Sequence, residues 1–578
     1  MKKKISMSIS ILLSCLITSG LFLPVFAASK KTVGIPVIDV DGIFSDTLYL
    51  NPGKVNETAI LPPSTDMIFS TVGNLTIPKN IAADNLWQET GNILFPNLKA
   101  ILEPLSCNAD GTSKYDVGIK KNWSLPKNYN FDSVLEFAYD WRMDYMDAAK
   151  SLNEYIHYLQ EQTGCEKVAL IPNSMGGIVT TAYLQQFGSA DIDAIVMRSS
   201  AFQGVSLVGE LFTKKIEFNK NTILGYINDY LTGDSQSNEI SVLLSVLNTI
   251  GVFDMAVPAT NEFFYQLKDR LYDEVLKDIF GTMPGMWELI PDEYYDAAKA
   301  TMLDPVKNAE LIKKIDYYHY NVQNKVKEIL QNAMNKGVKL AIISNYNLQG
   351  VPVTTNTNVQ TDSLIDTVYT SGGATCAPLG STFCADYIQA VNCGHNHISP
   401  DNIIDASTCM FPECTWFVKG MIHTNFNSDY DALVNWILNS DGQQNVFSNA
   451  VYPQFLQLNK AENTLSPVES TSAKAVLQSQ LMVSSYPAKK DEPASVLNSE
   501  AVTEVQTEDQ TTRQPAEPET TAVNDGQNDA ASAENAVAYA GNPNTGITGN
   551  LSIISFAGLV LCGCFVFILR KNPSKSAD

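Results

Sequence analysis

The stretch Glu166-Lys-Val-Ala-Leu-Ile-Pro-Asn-Ser-Met-Gly-Gly-Ile-Val-Thr180 decides the fold. Its apolar run Val168–Ile171 predicts a buried strand, and a turn at Pro172 separates this strand from a helix-compatible segment, Ile178–Gln186. A serine at such a strand–turn–helix junction, here Ser174, is typical of a nucleophile elbow, although the usual motif has glycine where this chain has Pro172. We interpret Ser174 as a catalytic nucleophile, and the alternative is an ordinary strand–helix turn.

Strand-like and helix-like segments alternate around this stretch, which predicts an α/β domain with a mostly parallel central sheet over residues 30–458. The predicted strands are Val37–Val40, Val134–Ala138, Val168–Ile171, Ala194–Met197, Lys339–Ser344 and Trp416–Lys419. Residues 46–130 and about 205–332 interrupt the alternation, and the second of these segments is mostly helical. A helical insertion at that point of an α/β-hydrolase fold is normally a cap over the active site; the alternative role for its aromatic residues is ordinary core packing.

A serine nucleophile needs a general base and an acid that orients the base, in the chain order Ser, Asp or Glu, His. The chain has five histidines, and His423 lies just past the last predicted strand, where the base belongs. The acid is expected after the strand Lys339–Ser344, as Asp362, with Asp366 as the alternative. A surface-loop histidine and turn-capping aspartates are the competing interpretations.

An oxyanion hole needs two backbone N–H groups aimed at the developing charge. The N–H of Met175, directly after the nucleophile, is expected to be one donor. The second is expected to be the N–H of Ile43, in the loop after the first strand, where Gly42 lets the backbone approach a ligand closely.

His395 and His397 form an H-x-H pair that could hold a metal, but no third ligand with convincing spacing and no C-x-x-C pair accompany them. We therefore predict no metal and no cofactor, and a structural or substrate-contacting role for the pair. The chain has ten cysteines. Seven remain once Cys15, Cys562 and Cys564 in the terminal segments are set aside. An exported chain permits disulfides, and an odd count leaves at least one thiol free or intermolecular.

Four features together resemble the lecithin:cholesterol acyltransferase-like branch of α/β-hydrolase lipases: Pro36–Ile43, Tyr139-Asp-Trp-Arg142, Asn173-Ser-Met-Gly-Gly177 and the late His423. Asp41 and Asn173 replace the residues that precede the oxyanion glycine and the serine in that branch. The resemblance implies transfer of an acyl group from a lipid ester to a hydroxyl acceptor, or to water. The alternatives are a carbohydrate-ester esterase or a peptidase on the same fold, or a catalytically inactive surface adhesin.

Both ends of the chain carry signals that belong to no folded domain. Residues 1–28 combine a basic start, an apolar core and small residues, which is typical of a secretory signal peptide. Residues 459–541 are acidic and rich in Ser, Thr and Pro, a composition that predicts a disordered stalk. Residues 551–569 are long and apolar enough to span a bilayer, and the basic tail 570–578 would stay inside.

The pentapeptide Asn542-Pro-Asn-Thr-Gly546 resembles a variant of the cell-wall sorting signal of Gram-positive bacteria. The resemblance implies that a sortase cuts between Thr545 and Gly546 and joins the protein to peptidoglycan; the alternative is a plain membrane anchor. Either way, the body is expected outside the cell. The net charge of −23 argues against a nucleic-acid partner, which needs a basic patch, and the expected substrate is a lipid or a small ester.

Overall fold

A computed structural model describes residues 34–43, 47–61, 86–121, 123–131, 133–231, 248–249, 252–423 and 426–470. The predicted signal peptide, the sorting motif, the transmembrane segment and all but the start of the stalk lie outside these residues. Among the helices of the described ranges, none has the length and apolar character needed to cross a membrane. The seven cysteines of the described ranges are all free thiols.

The strands of the described residues form one large sheet and two small ones. They are β1 Val37–Val40, β2 Leu48–Leu50, β3 Thr58–Leu61, β4 Val117–Gly118, β5 Val134–Phe137, β6 Val168–Pro172, β7 Ile192–Arg198, β8 Lys339–Tyr346, β9 Thr375–Cys376, β10 Ile404–Asp405, β11 Thr415–Lys419, β12 Phe455–Asn459 and β13 Thr464–Pro467. The large sheet has the order β13-β12-β11-β8-β7-β6-β1-β5. All its neighbours are parallel except β12 and β13.

Helices lie between the strands, and most of them belong to the segment between β7 and β8. They are α1 Leu86–Leu102, α2 Tyr145–Thr163, α3 Gly176–Phe187, α4 Ser206–Phe212, α5 Lys220–Leu231, α6 Val252–Leu271, α7 Lys277–Ile279, α8 Pro284–Trp287, α9 Asp292–Met302, α10 Ala309–Asn321, α11 Val326–Asn335, α12 Thr367–Thr370 and α13 Ser428–Asn439. The predicted helical insertion at about 205–332 therefore corresponds to α4–α10 and most of α11.

The central sheet is buried on both faces. Successive side chains of a strand point to opposite sides, so each strand contributes to both apolar layers. In β6, Val168 and Leu170 pack in an apolar cluster that includes side chains of α2 and α3. Ala169 and Ile171 pack in a second cluster, which includes side chains of α13. A mostly parallel sheet with helices on both faces and a helical insertion after β7 confirms the predicted α/β-hydrolase fold.

The sheet continues beyond Leu458, where the predicted catalytic domain ends. β12 runs to Asn459, and β13 pairs with it antiparallel inside the segment predicted as stalk. Val468 is buried and donates its backbone N–H to the carbonyl oxygen of Phe455 at 3.1 Å. β13 is a partly exposed edge strand with the sequence Thr-Leu-Ser-Pro, so its composition does not distinguish it from the polar residues that follow.

The aromatic residues of the cap insertion mostly serve packing. Phe253, Phe264, Trp287 and Tyr295 are each at most 2% exposed, and the last three belong to the main apolar cluster. Tyr265 differs, since it is 78% exposed. The structure thus favours the core-packing interpretation for most of these side chains.

Candidate active site

Ser174 lies in the tight turn between β6 and α3, with a backbone φ of +50°. A positive φ is uncommon for a residue other than glycine and is a strained conformation that neighbouring bonds must hold. The Ser174 N–H donates to the carbonyl oxygen of Arg198 at 3.2 Å, and the Ser174 carbonyl accepts from the N–H of Ala201 at 2.7 Å. Pro172 ends β6 in register with Val40, so the turn forms with proline in the position of the usual glycine.

Two glycines let the loops around Ser174 approach one another. A Cβ on Gly176 would lie 1.7 Å from the carbonyl oxygen of Val40, at the end of β1. A Cβ on Gly42 would lie 2.8 Å from the Cβ of Ser174 and 3.2 Å from its Oγ. The loop after β1 therefore packs directly against the serine.

The two predicted oxyanion donors, the N–H groups of Met175 and Ile43, belong to the residues that directly follow Ser174 and Gly42 in the sequence. Met175 follows Ser174 and caps the amino end of α3, where backbone N–H groups point out of the helix and favour negative charge. Ile43 follows Gly42. Within the described part of the chain, the N–H groups of Met175 and Ile43 donate to no other protein group, so both remain available to a ligand oxygen.

The Tyr139-Asp-Trp-Arg142 segment and the start of α2 contact the loop after β1 and the turn that carries Ser174. The Tyr139 hydroxyl donates to the carbonyl oxygen of Asp41 at 2.8 Å, and the Tyr145 hydroxyl lies 2.6 Å from the Sδ of Met175. The buried Arg142 pairs with Asp140 at 2.6 Å and donates to backbone carbonyls of the segment before β5. The segment that carries part of the family resemblance thus has a structural role here.

His423 follows β11, and its Nδ1 lies 2.7 Å from the Oδ2 of Asp362. Both side chains are buried. The other carboxylate oxygen of Asp362 accepts from the backbone N–H groups of Leu364 and Ile365 at 3.0 and 2.8 Å. Because a carboxylate only accepts hydrogen bonds, this contact assigns the proton to Nδ1 and leaves the lone pair on Nε2. His423 is therefore held in the tautomer that a general base requires.

Asp366, the alternative acid, is engaged elsewhere. Its Oδ2 accepts the backbone N–H of Ser206, at the start of α4, at 3.2 Å, and burial raises the pKa of Asp366 to about 6. Glu210, also on α4, accepts the backbone N–H groups of Thr355 and Asn356 at 2.7 and 3.2 Å. The start of the cap is thus bonded at two points to the segment that carries Asp362.

A buried polar network behind the elbow is not predicted by any local sequence pattern. The Arg198 guanidinium donates to the Oδ1 of Asn173 at 2.6 Å and to the Oδ2 of Asp39 at 2.8 Å, and the Asn173 amide nitrogen donates to Asp39. Burial raises the pKa of Asp39, and the guanidinium opposes that shift. Asn173, which directly follows β6, therefore links Asp39 on β1 with Arg198 on β7, and no local pattern relates residues that are so far apart in the chain.

The candidate catalytic groups share one edge of the sheet. Ile43, Ser174 and His423 follow the carboxyl ends of β1, β6 and β11, and Asp362 lies in the segment after β8. Parallel strands end at the same edge, which is where open α/β sheets place their sites. His395 and His397 lie elsewhere: Gln454, which precedes β12 at the opposite edge, bonds the ring of His397.

The protein has an α/β-hydrolase fold. Its candidate site contains a buried His–Asp pair and a serine in a strained backbone conformation. No protein-family model and no curated protein matches the chain. Among solved structures, it is similar to one titled "The crystal structure of Tle4-Tli4 complex", at 14% identity over 54% of this chain and 75% of that chain, with a TM-score of 0.20. A likeness of this size carries no conclusion about activity.

Proposed function

We propose that the protein is a serine hydrolase or O-acyltransferase that acts on lipid or other carboxylic esters through Ser174, His423 and Asp362. The observation that carries the proposal is the 2.7 Å contact between His423 Nδ1 and Asp362 Oδ2, on the sheet edge that also holds the strained Ser174. The N–H groups of Ile43 and Met175, which donate to no other group among the described residues, support the same chemistry.

In the proposed reaction, His423 Nε2 takes the Ser174 hydroxyl proton while Oγ attacks the ester carbonyl carbon. The carbonyl oxygen becomes an oxyanion, which the N–H groups of Ile43 and Met175 stabilise. The intermediate collapses as the ester C–O bond breaks, and His423 returns the proton to the leaving alcohol. Asp362 stays ionised and stabilises the imidazolium.

The acyl-enzyme is then resolved by a second hydroxyl compound. Water or an alcohol gives its proton to His423 Nε2 and attacks the acyl carbon, and Ser174 leaves with that proton. Water yields the free acid, whereas an alcohol yields a new ester. The resemblance to the lecithin:cholesterol acyltransferase-like branch supports a lipid acyl donor.

Turnover of a chain-length series tests this proposal. The full chain would be assayed with p-nitrophenyl esters from acetate to palmitate, with and without a long-chain alcohol as acceptor. We expect His423→Ala to lose at least about 10³-fold in kcat/KM and the exposed control His157→Ala to match the wild type. Preference for long acyl chains supports a lipid substrate, and preference for acetate supports a carbohydrate ester. A folded wild type that turns over no ester would favour the inactive adhesin.

We also propose export and covalent attachment to the Gram-positive cell wall, on the strength of the terminal sequence signals alone. The test is fractionation of a Gram-positive host that has a sortase and expresses the full chain. Attachment predicts that Thr545→Ala moves the protein from the wall fraction to the membrane fraction. An unchanged distribution would favour the plain membrane anchor.

A further inference from the structure

The long connection between β9 and β10 carries a cluster of potential metal ligands. Cys393, His395 and His397 each offer a ligating atom, and these three atoms lie within 4.8 Å of one another. The sequence offers no third ligand with convincing spacing for the two histidines, whereas the structure adds Cys393. In the structure the turn at Gly394, with a φ of +86°, accompanies the approach of the thiol to the histidines.

His397 is held in the tautomer that binds a metal through Nε2. Its Nδ1 lies 2.8 Å from the Oε1 of Gln454. The Gln454 amide nitrogen donates to the carbonyl oxygens of Pro412 and Thr415 at 2.8 and 3.0 Å, so the atom facing His397 must be the acceptor oxygen. Nδ1 therefore carries the proton, and Nε2 carries a lone pair.

That lone pair is buried without a hydrogen-bond partner. His397 is fully buried, and its Nε2 has no partner among the described residues. A buried, unsatisfied polar atom is costly and needs an explanation. An imidazole that donates one ring N–H to a fixed acceptor and directs the other nitrogen at its neighbours is the arrangement found at metal sites.

The other two ligands, Cys393 and His395, are exposed, and hydrogen bonds from Gln389 hold the backbone next to them. The side-chain amide of Gln389 donates to the carbonyl oxygen of His395 at 3.0 Å, and its oxygen accepts the N–H of His397 at 2.6 Å. The Nδ1 of His395 lies 3.2 Å from the Oε1 of Glu413. A carboxylate that orients a ligating histidine is a common outer partner in zinc sites.

We infer that Cys393, His395 and His397 form a Zn²⁺ site within this connection. One thiolate and two imidazoles are a ligand set that zinc accepts, and solvent at the exposed side would complete four-coordination. Ligand atoms on one zinc ion lie about 3.4–3.6 Å apart, so the exposed Cys393 and His395 side chains need to move only slightly. The segment 377–403 has little regular structure. A metal would fix residues 393–397, which the hydrogen bond between His397 and Gln454 already holds beside β12.

Zinc titration of the reduced full chain tests the site, with a competing chromogenic chelator as the readout. We expect one equivalent of Zn²⁺ to bind tightly, and Cys393→Ser or His395→Ala to weaken binding at least about tenfold. The matched controls Cys384→Ser and His157→Ala remove an exposed thiol and an exposed histidine outside the cluster, so they should bind as the wild type does. Equal affinity of Cys393→Ser and the wild type would overturn the site.

Alkylation of the thiols supplies a second readout that does not depend on total affinity. Cys384 and Cys393 are both exposed, so iodoacetamide followed by peptide mapping reports both in one sample. We expect Zn²⁺ to slow modification of Cys393 at least about tenfold, because a thiolate bound to the metal is not free to attack iodoacetamide, and to leave Cys384 unchanged. Equal rates with and without Zn²⁺, or a disulfide at Cys393 in the protein isolated without reductant, would contradict the site.

Discussion

His423 and Asp362 contact each other twice. The imidazole Nδ1 lies 2.7 Å from the carboxylate Oδ2, and the backbone N–H of His423 donates to the carbonyl oxygen of Asp362 at 2.8 Å. The loop after β11 is thus fastened to the segment after β8 by both main chain and side chain. Such a double contact fixes the ring orientation more firmly than the side-chain bond alone.

Replacing Asp362 by asparagine should remove most of the esterase activity. An amide at this position allows the imidazole to adopt the wrong tautomer, and we expect a loss of about 10⁴-fold in kcat with the fold retained. The matched control is Asp366→Asn, which keeps an oxygen that can accept the N–H of Ser206. Steady-state ester hydrolysis compares them, and equal losses in the two variants would contradict the assignment of the acid.

Gly42→Ala should reduce turnover without unfolding the protein. Its Cβ would lie 2.8 Å from the Ser174 Cβ, so the oxyanion loop must move away from the nucleophile. A displacement of about 1 Å at a reacting group can cost about 10²-fold in rate. Gly118→Ala is the control, since its Cβ would meet no atom within 4 Å. Wild-type kcat in the Gly42 variant would show that this loop does not serve the reaction.

Arg198→Met should destabilise the fold through Asp39. The guanidinium and the carboxylate are 2.8 Å apart with little exposure, and removing one partner of a buried pair typically costs about 3–5 kcal/mol. Lys150→Met removes the same charge from an exposed pair with Asp147, where the loss should be below about 1 kcal/mol. Denaturant unfolding measures both, and similar losses would refute a special role for the network behind the elbow.

Glu288→Gln should flatten the fall of stability with rising pH. Burial and the neighbouring Asp144 carboxylate raise the pKa of Glu288 well above its ordinary value. Above pH about 4.3 the unfolded chain loses this proton while the folded chain keeps it, so the free energy of unfolding falls as pH rises.

The glutamine variant lacks that proton, so its free energy of unfolding should fall less between about pH 5 and 8 than that of the wild type. The exposed Glu154→Gln serves as control because its side chain is 63% exposed. Parallel stability curves for wild type and Glu288→Gln would contradict the expectation.

Hydrophobic patterns within short stretches of sequence predict the buried strands of this fold. Apolar runs such as Val168–Ile171 mark the strands that are buried on both faces. Chain order, together with the position after a predicted strand, directs the search to His423 and Asp362. The polar edge strand Thr464–Pro467 escapes the same reasoning because an exposed strand needs no apolar run.

Contacts between distant residues escape it for a different reason. Arg198 and Asp39 lie on β7 and β1, Asn173 directly follows β6, and only the sheet order makes them neighbours. Cys393 is close to its histidines in sequence, but the loop conformation decides whether its thiol reaches them.

Covalent labelling of Ser174 tests the central claim most directly. The full chain would be treated with a fluorophosphonate probe, which reacts with activated serines, in parallel with Ser174→Ala and the exposed-serine control Ser381→Ala. The account predicts strong labelling of the wild type and of Ser381→Ala, and none of Ser174→Ala. Labelling that persists in Ser174→Ala, or a folded wild type that does not label, would contradict it.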